Sequence, residues 1–308
     1  PGVPEGIKAE VEVTIDSKNA KITIDLTDNP DCQESGLNLT EGTAKSAAMI
    51  GIFNGICDHT VPPNAGSFRR IDIKLRENCC VGIPRHPYSC SVATTNLADR
   101  VLVAVQVGIS EIAPGFGQAE AGPIIPAGMG VISGKDPRKN NSAYVNQIFL
   151  GITGGAGTPL SDAWLTLLHN GNAGLCRLDS IEVDELQYPM YVKDRYVTKD
   201  TEGAGEFRGA PSAFCEFGPI ENSEMTVIFT SDGSINPAKG GRGGMPGDNA
   251  KAFKRTIDGK LIELPNCHQI TIKHGETIVS YSAGGGGYGN PHCRDIERVA
   301  EDFNEGWI

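Results

Sequence analysis

The stretch Ala283-Gly-Gly-Gly-Gly-Tyr-Gly289 is the most distinctive part of the sequence, and it lies between a predicted strand and a predicted helix. In that position a glycine run can present backbone N–H groups to an anion. It can equally be a tight turn in which any side chain would clash with a neighbouring strand. The run lacks the Lys-Ser/Thr of a P-loop and the spacing of a dinucleotide-binding fingerprint, so we favour the tight turn. A second run, Lys239-Gly-Gly-Arg-Gly-Gly244, leaves the same two alternatives open.

Glycine and proline are abundant along the whole chain, which has 39 Gly and 19 Pro in 308 residues. This composition predicts many turns between short elements and excludes a helical bundle, while the 39% of hydrophobic residues excludes intrinsic disorder. We therefore predict an α+β fold, mixed, rich in strands and loops, with a few packed helices and a C-terminal helix. Because the composition is even, residues 1–308 are expected to form one compact unit.

Local patterns predict the individual elements. Alternation of polar and apolar residues predicts a β-hairpin over residues 8–27, with its turn at 16–19. Helices are predicted over 43–57, where two glycines permit close approach to a neighbour, and over 94–112. A second hairpin is predicted over 265–282 around His274-Gly275. Further predictions are strands at 67–75, 129–133, 144–152, 195–199 and 225–230, a short helical or extended piece at 162–168, and a terminal helix at 291–304 capped by Asn290.

Charge and cysteine usage narrow the class of protein. The chain carries 27 Lys and Arg against 38 Asp and Glu, a net charge of −11, which disfavours nucleic acid or an anionic membrane as partner. No apolar stretch approaches the roughly 20 residues that span a bilayer, and the start of the chain shows no secretory signal. Since the nine cysteines are odd in number and form no CxxC motif, we expect a reduced, cytoplasmic protein with buried thiols. Because the chain begins with Pro1, it is expected to be a processed product or a piece of a longer polypeptide.

The candidate chemical groups leave alternatives open. The six histidines form no HxxxH, HxH or HExxH motif, so a metal site within this chain is disfavoured. The adjacent thiols of Cys79 and Cys80 have no nearby His or Lys in the sequence to activate them, and a structural role is favoured. Asp162, His169 and Asn170 follow a glycine-rich stretch and could bind a substrate amide, or they could cap turns.

Several motifs in a fixed order give the sequence a family resemblance. They are Gly36-Leu-Asn38, Pro63-Asn-Ala-Gly66 followed by Arg69-Arg70-Ile71, Glu185 with Tyr188-Pro189, Thr201-Glu-Gly-Ala-Gly-Glu-Phe-Arg-Gly209, the run from Gly240 to Gly247, and Gly284-Gly-Gly-Gly-Tyr-Gly-Asn-Pro291. The chain resembles the hydantoinase B family, the second subunits of ATP-dependent hydantoinases, 5-oxoprolinases, caprolactamases and acetone or acetophenone carboxylases. The resemblance covers nearly the whole chain, but only the C-terminal half of the family's subunit.

The resemblance implies a component of a hetero-oligomeric enzyme. ATP and Mg would be bound by a partner subunit of the hydantoinase A type, and a divalent metal, Zn or Mn, by the missing N-terminal half of the hydantoinase B-like subunit. The implied activity is hydrolysis of a cyclic amide (hydantoin, N-methylhydantoin, 5-oxoproline or a lactam) through a phosphorylated intermediate. The alternatives are a subunit of an ATP-dependent acetone- or acetophenone-type ketone carboxylase and a non-catalytic scaffold subunit.

The resemblance also implies which positions lie near the substrate, without assigning a catalytic residue. These predicted substrate-binding residues are Asn38, Asn64, Arg69, Arg70, Asp162 and Asn170. The segment His169-Asn170-Gly171-Asn172 departs from the family's Asn-Thr-x-x-x-Pro pattern, which leaves the substrate open. The Cys79-Cys80 pair is also unusual for the family.

Overall fold

A computed structural model describes residues 6–56, 60–91, 93–166, 170 and 178–308, and it confirms the predicted mixed α+β fold. Four β-sheets are joined by long loops and a few helices. The helices are α1 (Glu41–Ile56), α2 (Ala65–Phe68), α3 (Leu97–Ile112), α4 (Ile181–Gln187) and α5 (Ile296–Glu305). The strands are β1 (Glu12–Asp16), β2 (Lys21–Asp25), β3 (Ile71–Lys74), β4 (Val131–Asp136), β5 (Ser142–Gln147), β6 (Thr153–Gly154), β7 (Leu165–Thr166), β8 (Met190–Val197), β9 (Ala213–Pro219), β10 (Glu224–Thr230), β11 (Lys251–Arg255), β12 (Leu261–Glu263), β13 (Cys267–Lys273) and β14 (Thr277–Tyr281).

The first hairpin is confirmed. β1 and β2 pair antiparallel with Val13 opposite Ile24, so their apolar side chains share one face as alternation predicts. β3 pairs parallel with β2 and completes a three-stranded sheet. The strand predicted over 67–75 is correct only for β3, because Asn64 caps the short helix α2 over the preceding residues.

Helices α1 and α3 pack against each other and against this sheet, close to the bounds predicted for them. A Cβ atom at Gly51 of α1 would lie 2.7 Å from the Cβ of Val105 and 2.8 Å from the carbonyl oxygen of Leu102. The backbones therefore approach too closely for a side chain at this position. The predicted role of the α1 glycines in close helix packing is confirmed at Gly51.

The second half of the chain holds two larger antiparallel sheets that share a core containing Phe217, Phe229 and Ile132. Their strand orders are β13-β10-β4-β5 and β12-β11-β14-β9-β8. The strands predicted at 129–133, 144–152, 195–199 and 225–230 correspond to β4, β5, β8 and β10 with shifted bounds.

The second predicted hairpin is wrong, although its strands are placed correctly. β13 pairs with β10, whereas β14 pairs with β11 and β9 in the other sheet. Burial accompanies the difference: the first four residues of β14 are all buried, as is typical of a central strand covered on both faces, whereas the more exposed β13 lies at the edge of its sheet. The turn at Gly275 thus carries the chain from one sheet to the other.

The C-terminal helix begins later than predicted. Asn290 caps a 3₁₀ turn at Pro291–Cys293, and α5 starts after a separate cap at Asp295. The break lies at Arg294, whose extended backbone turns its side chain inward to Asp162 and Asp302. Within the piece predicted at 162–168, β7 is extended, and residues 167–168 lie outside the described part of the chain.

The opening glycine run forms the centre of a core made of backbone. Successive N–H groups of Gly284, Gly285 and Gly286 donate to three different segments, at Asp248, Ala210 and Glu120, over 2.8–3.0 Å. Gly287 returns to the first of these segments by donating to the carbonyl of Met245 at 3.0 Å. The run thus returns to the same segment after three residues and is surrounded by hydrogen-bonded neighbours. We call this arrangement the glycine core.

Side chains are excluded from the glycine core. A Cβ atom at Gly285 would lie 2.5 Å from the carbonyl carbon of Gly155 and 2.8 Å from the carbonyl oxygen of Gly154. Every N–H group from Gly284 to Gly289 already has a backbone acceptor, so none remains for an anion. The predicted clash of side chains with neighbouring backbone is confirmed, and anion binding by this backbone is disfavoured. The tight turn that we favoured is wrong, because residues 283–287 run extended between the segments that accept their hydrogen bonds.

Candidate functional site

Three amide side chains meet where α1 and α3 face the segment containing Asn170. The Asn170 Nδ2 donates to the Oε1 of Gln106 at 2.6 Å, and the Asn54 Nδ2 donates to the Asn170 carbonyl at 3.4 Å. Gln106 is buried at 1% exposure within α3, where most of the buried residues are apolar. We call Asn54, Gln106 and Asn170 the amide cluster. Such groups can donate and accept at once, which suits recognition of an amide.

The amide cluster is attached to the glycine core through the backbone. The N–H of Gly117 donates to the Gly55 carbonyl at 2.7 Å, directly after Asn54 in α1. The same segment continues to Glu120, whose carbonyl accepts from Gly286 at 2.8 Å. These bonds therefore link the end of α1 that carries Asn54 to the glycine core.

Asn38 lies apart from the amide cluster and is fully buried. Its Nδ2 donates to the carbonyls of Gln33, Ser35 and Ser89 at 2.8–3.0 Å, and its Oδ1 accepts from the Gln33 N–H at 2.7 Å. These bonds close the loop before α1. Its predicted role in substrate binding stays a prediction, while its contacts describe a loop-stabilising amide.

Asn64, Arg69 and Arg70 lie on or beside α2. The Oδ1 of Asn64 accepts the N–H groups of Gly66 and Ser67 and so caps this short helix, while both arginines are exposed. Phe68 of α2 contacts Phe53 of α1 edge to face, with ring centroids 5.8 Å apart. α2 therefore packs on the end of α1 that carries Asn54. Substrate binding by these three residues stays a prediction.

Asp162 belongs to a network of ion pairs at α5. Its carboxylate binds the Arg294 guanidinium at 2.6 and 3.0 Å and accepts the Arg208 N–H at 2.8 Å. The carboxylate of Asp302 in α5 accepts hydrogen bonds from both arginine side chains, at 2.9 Å from Arg208 and 2.6 Å from Arg294. Burial would raise the pKa of Asp162, but the hydrogen bond from Arg294 leads the effects that lower it overall. Asp162 is thus an ionised partner of two arginines, and its predicted substrate contact stays a prediction.

The predicted site residues therefore occupy separate places. Asn170 joins the amide cluster, Asn64, Arg69 and Arg70 lie near the same end of α1, and Asp162 and Asn38 each form another group of contacts. Asn54 and Gln106 were not predicted. The available signal for Gln106 was a polar residue among the apolar positions of α3. His169, Gly171 and Asn172 lie outside the described residues.

The Cys79-Cys80 pair is buried, and its surroundings differ from the sequence-based expectation. A hydrogen bond from the Cys80 thiol, aided by the charge of Arg76, lowers the pKa of Cys79 below its usual range. The same hydrogen bond, together with burial, raises the pKa of Cys80. Arg76 is therefore a nearby cation that the local sequence pattern did not indicate. Both side chains have 0% exposure, which keeps them from reagents in solution.

The described residues offer neither a metal-binding group nor a membrane-spanning helix. In residues 6–56, 60–91, 93–166, 170 and 178–308, no group of three or more His, Cys, Asp or Glu side chains is arranged to hold a metal ion. Asp58 and His59, an adjacent pair in the sequence, lie outside these ranges. Over the same part of the chain, no helix combines the length and apolar character needed to cross a membrane.

Comparison with known proteins identifies a family. The model of the hydantoinase B/oxoprolinase family matches residues 2–291. The caprolactamase subunit beta of Pseudomonas jessenii is 26% identical over 309 residues, which cover 98% of this chain and 51% of that protein. The acetophenone carboxylase delta subunit of Aromatoleum aromaticum is 24% identical, with 99% and 49% covered. The chain thus spans about half the length of the curated relatives it matches.

A solved structure has the same fold. The crystal structure of the ATP-dependent caprolactamase from Pseudomonas jessenii superposes with a TM-score of 0.81 at 23% identity, covering 98% of this chain and 52% of the other. At this level of identity the match shows that the two chains share a fold. The caprolactamase activity is a property of the Pseudomonas jessenii protein.

Proposed function

Because the chain belongs to the hydantoinase B/oxoprolinase family, we propose that it is one component of an ATP-dependent, multi-subunit enzyme that hydrolyses a cyclic amide. The observation that carries the proposal is the family match over residues 2–291, supported by a caprolactamase subunit among the relatives. The substrate is a hydantoin, N-methylhydantoin, 5-oxoproline or a lactam.

The amide cluster is the part of this chain best suited to recognise such a substrate. Each amide group of such a ring offers a carbonyl acceptor and an N–H donor, and the half-buried side-chain amide of Asn170, positioned by Gln106, can pair with both. The contacts that hold the cluster to the glycine core keep these groups in place before substrate arrives, which lowers the cost of binding. In the proposed complex, this chain orients the ring, while other polypeptides bind the ATP and the metal that the reaction needs.

Two cofactors belong to those other polypeptides in the proposal. A hydantoinase A-like subunit binds ATP and Mg, and the half of the hydantoinase B-like subunit that this chain does not span binds a divalent metal, Zn or Mn. Phosphorylation supplies a leaving group that an unstrained amide lacks. The amide cluster is proposed to hold the carbonyl oxygen of the substrate toward the nucleotide.

The experiment is turnover by the reconstituted complex. The chain is combined with a hydantoinase A-like subunit and with the polypeptide that carries the remaining half, and ring-opened product and ADP are measured for each substrate. ATP-dependent ring opening is expected. Failure to open any of the candidate rings, in a complex shown to be assembled, would refute the hydrolase proposal.

The variant Asn170→Ala tests the amide cluster separately. We expect a fall in kcat/KM of about tenfold or more, since tenfold corresponds to about 1.4 kcal/mol and one lost hydrogen bond is of that size. The matched control is Gln269→Ala, which removes an exposed amide from β13. Equal kcat/KM for both variants would remove the cluster from the substrate site and leave the hydrolase proposal intact.

A ketone carboxylase component is the second candidate, favoured by the acetophenone carboxylase delta subunit among the relatives. That function predicts ATP-dependent fixation of labelled bicarbonate onto acetone or acetophenone by the same complex. A non-catalytic scaffold is the third, favoured by the internal contacts that occupy Asn38 and Asp162. It predicts that Arg69→Ala and Asn170→Ala leave turnover unchanged.

A further inference from the structure

Helix α5 is oriented with its apolar side toward solvent. Ile296 and Phe303 have 76% and 70% of their surface exposed, and Ala300 lies between them on the same helical face. The inward side is charged, because Asp302 and the preceding Arg294 form buried ion pairs. Surface helices normally have the reverse arrangement. Ion pairs therefore attach α5 to the protein and leave its apolar stripe uncovered.

A neighbouring loop carries two more exposed apolar side chains. Leu160 and Trp164 are 78% and 86% exposed, and Asp162 between them is tied to Arg294 and to Arg298 of α5. Because Arg298 lies on the other side of α5 from Ile296 and Phe303, this loop meets the helix on that other side. We call the side chains of Ile296, Ala300 and Phe303 the α5 surface.

Acidic side chains predominate beside the α5 surface, although Lys199 lies against the last turn of the helix at Gly306. The outward charged side chains of α5 are Glu297, Glu301 and Glu305, which are all exposed. Its arginine, Arg298, lies over the Phe207 ring at 5.3 Å and reaches Asp162 at 3.6 Å. An acidic border repels a second copy of a chain with a net charge of −11 and attracts a partner with basic residues.

We propose that the α5 surface is a docking site for an amphipathic helix of another polypeptide, with an apolar stripe bordered by Lys or Arg. The apolar stripe of that helix would cover Ile296 and Phe303, and its cations would face the three glutamates. The chain spans about half the length of relatives that are themselves named subunits, so further polypeptide is available to supply such a helix. This docking requires no catalytic activity.

The test measures binding of two synthetic helices to the intact chain. Both peptides have about 18 residues and the same leucine stripe, bordered by Lys in one and by Glu in the other. Binding is followed by anisotropy of a label on the peptide. The Lys peptide is expected to bind, and its affinity is expected to fall with added salt.

Matched variants locate the binding site. Combining Ile296→Ser with Phe303→Ser is expected to raise the Kd for the Lys peptide at least tenfold. Ile257→Ser changes a side chain of equal exposure, 75%, in the turn before β12, and is expected to leave binding unchanged. Equal binding of the Lys and Glu peptides, or full binding by the double variant, would overturn the proposal. Since the replaced side chains are exposed, thermal unfolding should be unaltered and confirms that the variants fold.

Sedimentation of the chain without peptide tests whether a second copy of the chain covers the α5 surface instead. We expect a monomer whose sedimentation is unchanged in the double variant. A dimer that dissociates on the same substitutions would assign the α5 surface to a second copy and would refute the proposed partner. None of these measurements uses turnover, so their failure is distinguishable from failure of the proposed enzyme activity.

Discussion

Replacing Gly285 with alanine is the most direct perturbation of the glycine core. The added Cβ would lie 2.5 Å from the carbonyl carbon of Gly155 and 2.8 Å from the carbonyl oxygen of Gly154. Ordinary contacts need about 3.4 Å, and here the obstacle is backbone that no side-chain rotation can move. The substitution must therefore displace one of the segments packed around Gly285.

The magnitude follows from the bonds at this residue. Gly285 donates to Ala210 at 2.9 Å and accepts from Gly203 at 2.8 Å. Displacement weakens both bonds in a buried place, at about 1 kcal/mol or more each, and overpacking adds about 1–3 kcal/mol. We expect Gly285→Ala to lower the free energy of unfolding by about 4 kcal/mol.

The assay is urea unfolding followed by circular dichroism, with Gly42→Ala as the matched control. Gly42 is the second residue of α1, and a Cβ there meets nothing within 4 Å. That substitution should be neutral or stabilising by up to about 1 kcal/mol. A loss below about 1 kcal/mol for Gly285→Ala would show that the core relaxes readily and would refute the close-packing argument.

Three further changes test buried charges. Asp302→Asn leaves Arg294 with a neutral partner and should cost about 3 kcal/mol, measured as a lower urea midpoint. Burial would raise the pKa of Glu216, but hydrogen bonds led by that from Arg255 lower it to about 2. Its stabilisation, about 3 kcal/mol, is complete above the unfolded pKa near 4.5 and is lost as pH falls toward 2, so Glu216→Gln should flatten the acid side of the stability curve. Burial raises the pKa of Asp184 from 3.8 to about 6, so its destabilising effect grows as pH rises between these values. Asp184→Asn should raise the Tm at pH 7 and leave it nearly unchanged at pH 4.

Elements with a strong local pattern could be predicted from the sequence. The hairpin of β1 and β2 alternates cleanly, and α1 and α3 have long periodic stretches. The pairing of β13 with β14 was predicted wrongly, because strands that are consecutive in sequence usually pair. Here β14 is instead a buried central strand of the other sheet, between β11 and β9. Consecutive apolar residues at Ile278 and Val279 were the sequence signal of that burial.

The candidate site was less accessible to prediction because its contacts join distant residues. Asn170 and Gln106 are 64 positions apart, and Asp162 and Arg294 are 132 apart. No local pattern sets such distances, since they depend on how sheets and helices pack. The glycine core shows the same limit. The sequence reveals the run of glycines, but it does not reveal which three segments surround that run.

The arrangement of core and cluster bears on how one fold can serve different reactions. The backbone of the glycine core uses its own N–H groups internally, so it holds segments in place and offers no groups to a ligand. If the proposed function holds, the groups that meet a substrate are side chains outside the core, such as Asn170 beside Gln106 in the amide cluster. Such a side chain can change without moving the backbone of the core, whereas an added methyl at Gly285 meets backbone atoms directly. The proposal therefore assigns stability and substrate selection to different residues, and Gly285→Ala and Asn170→Ala test the two roles independently.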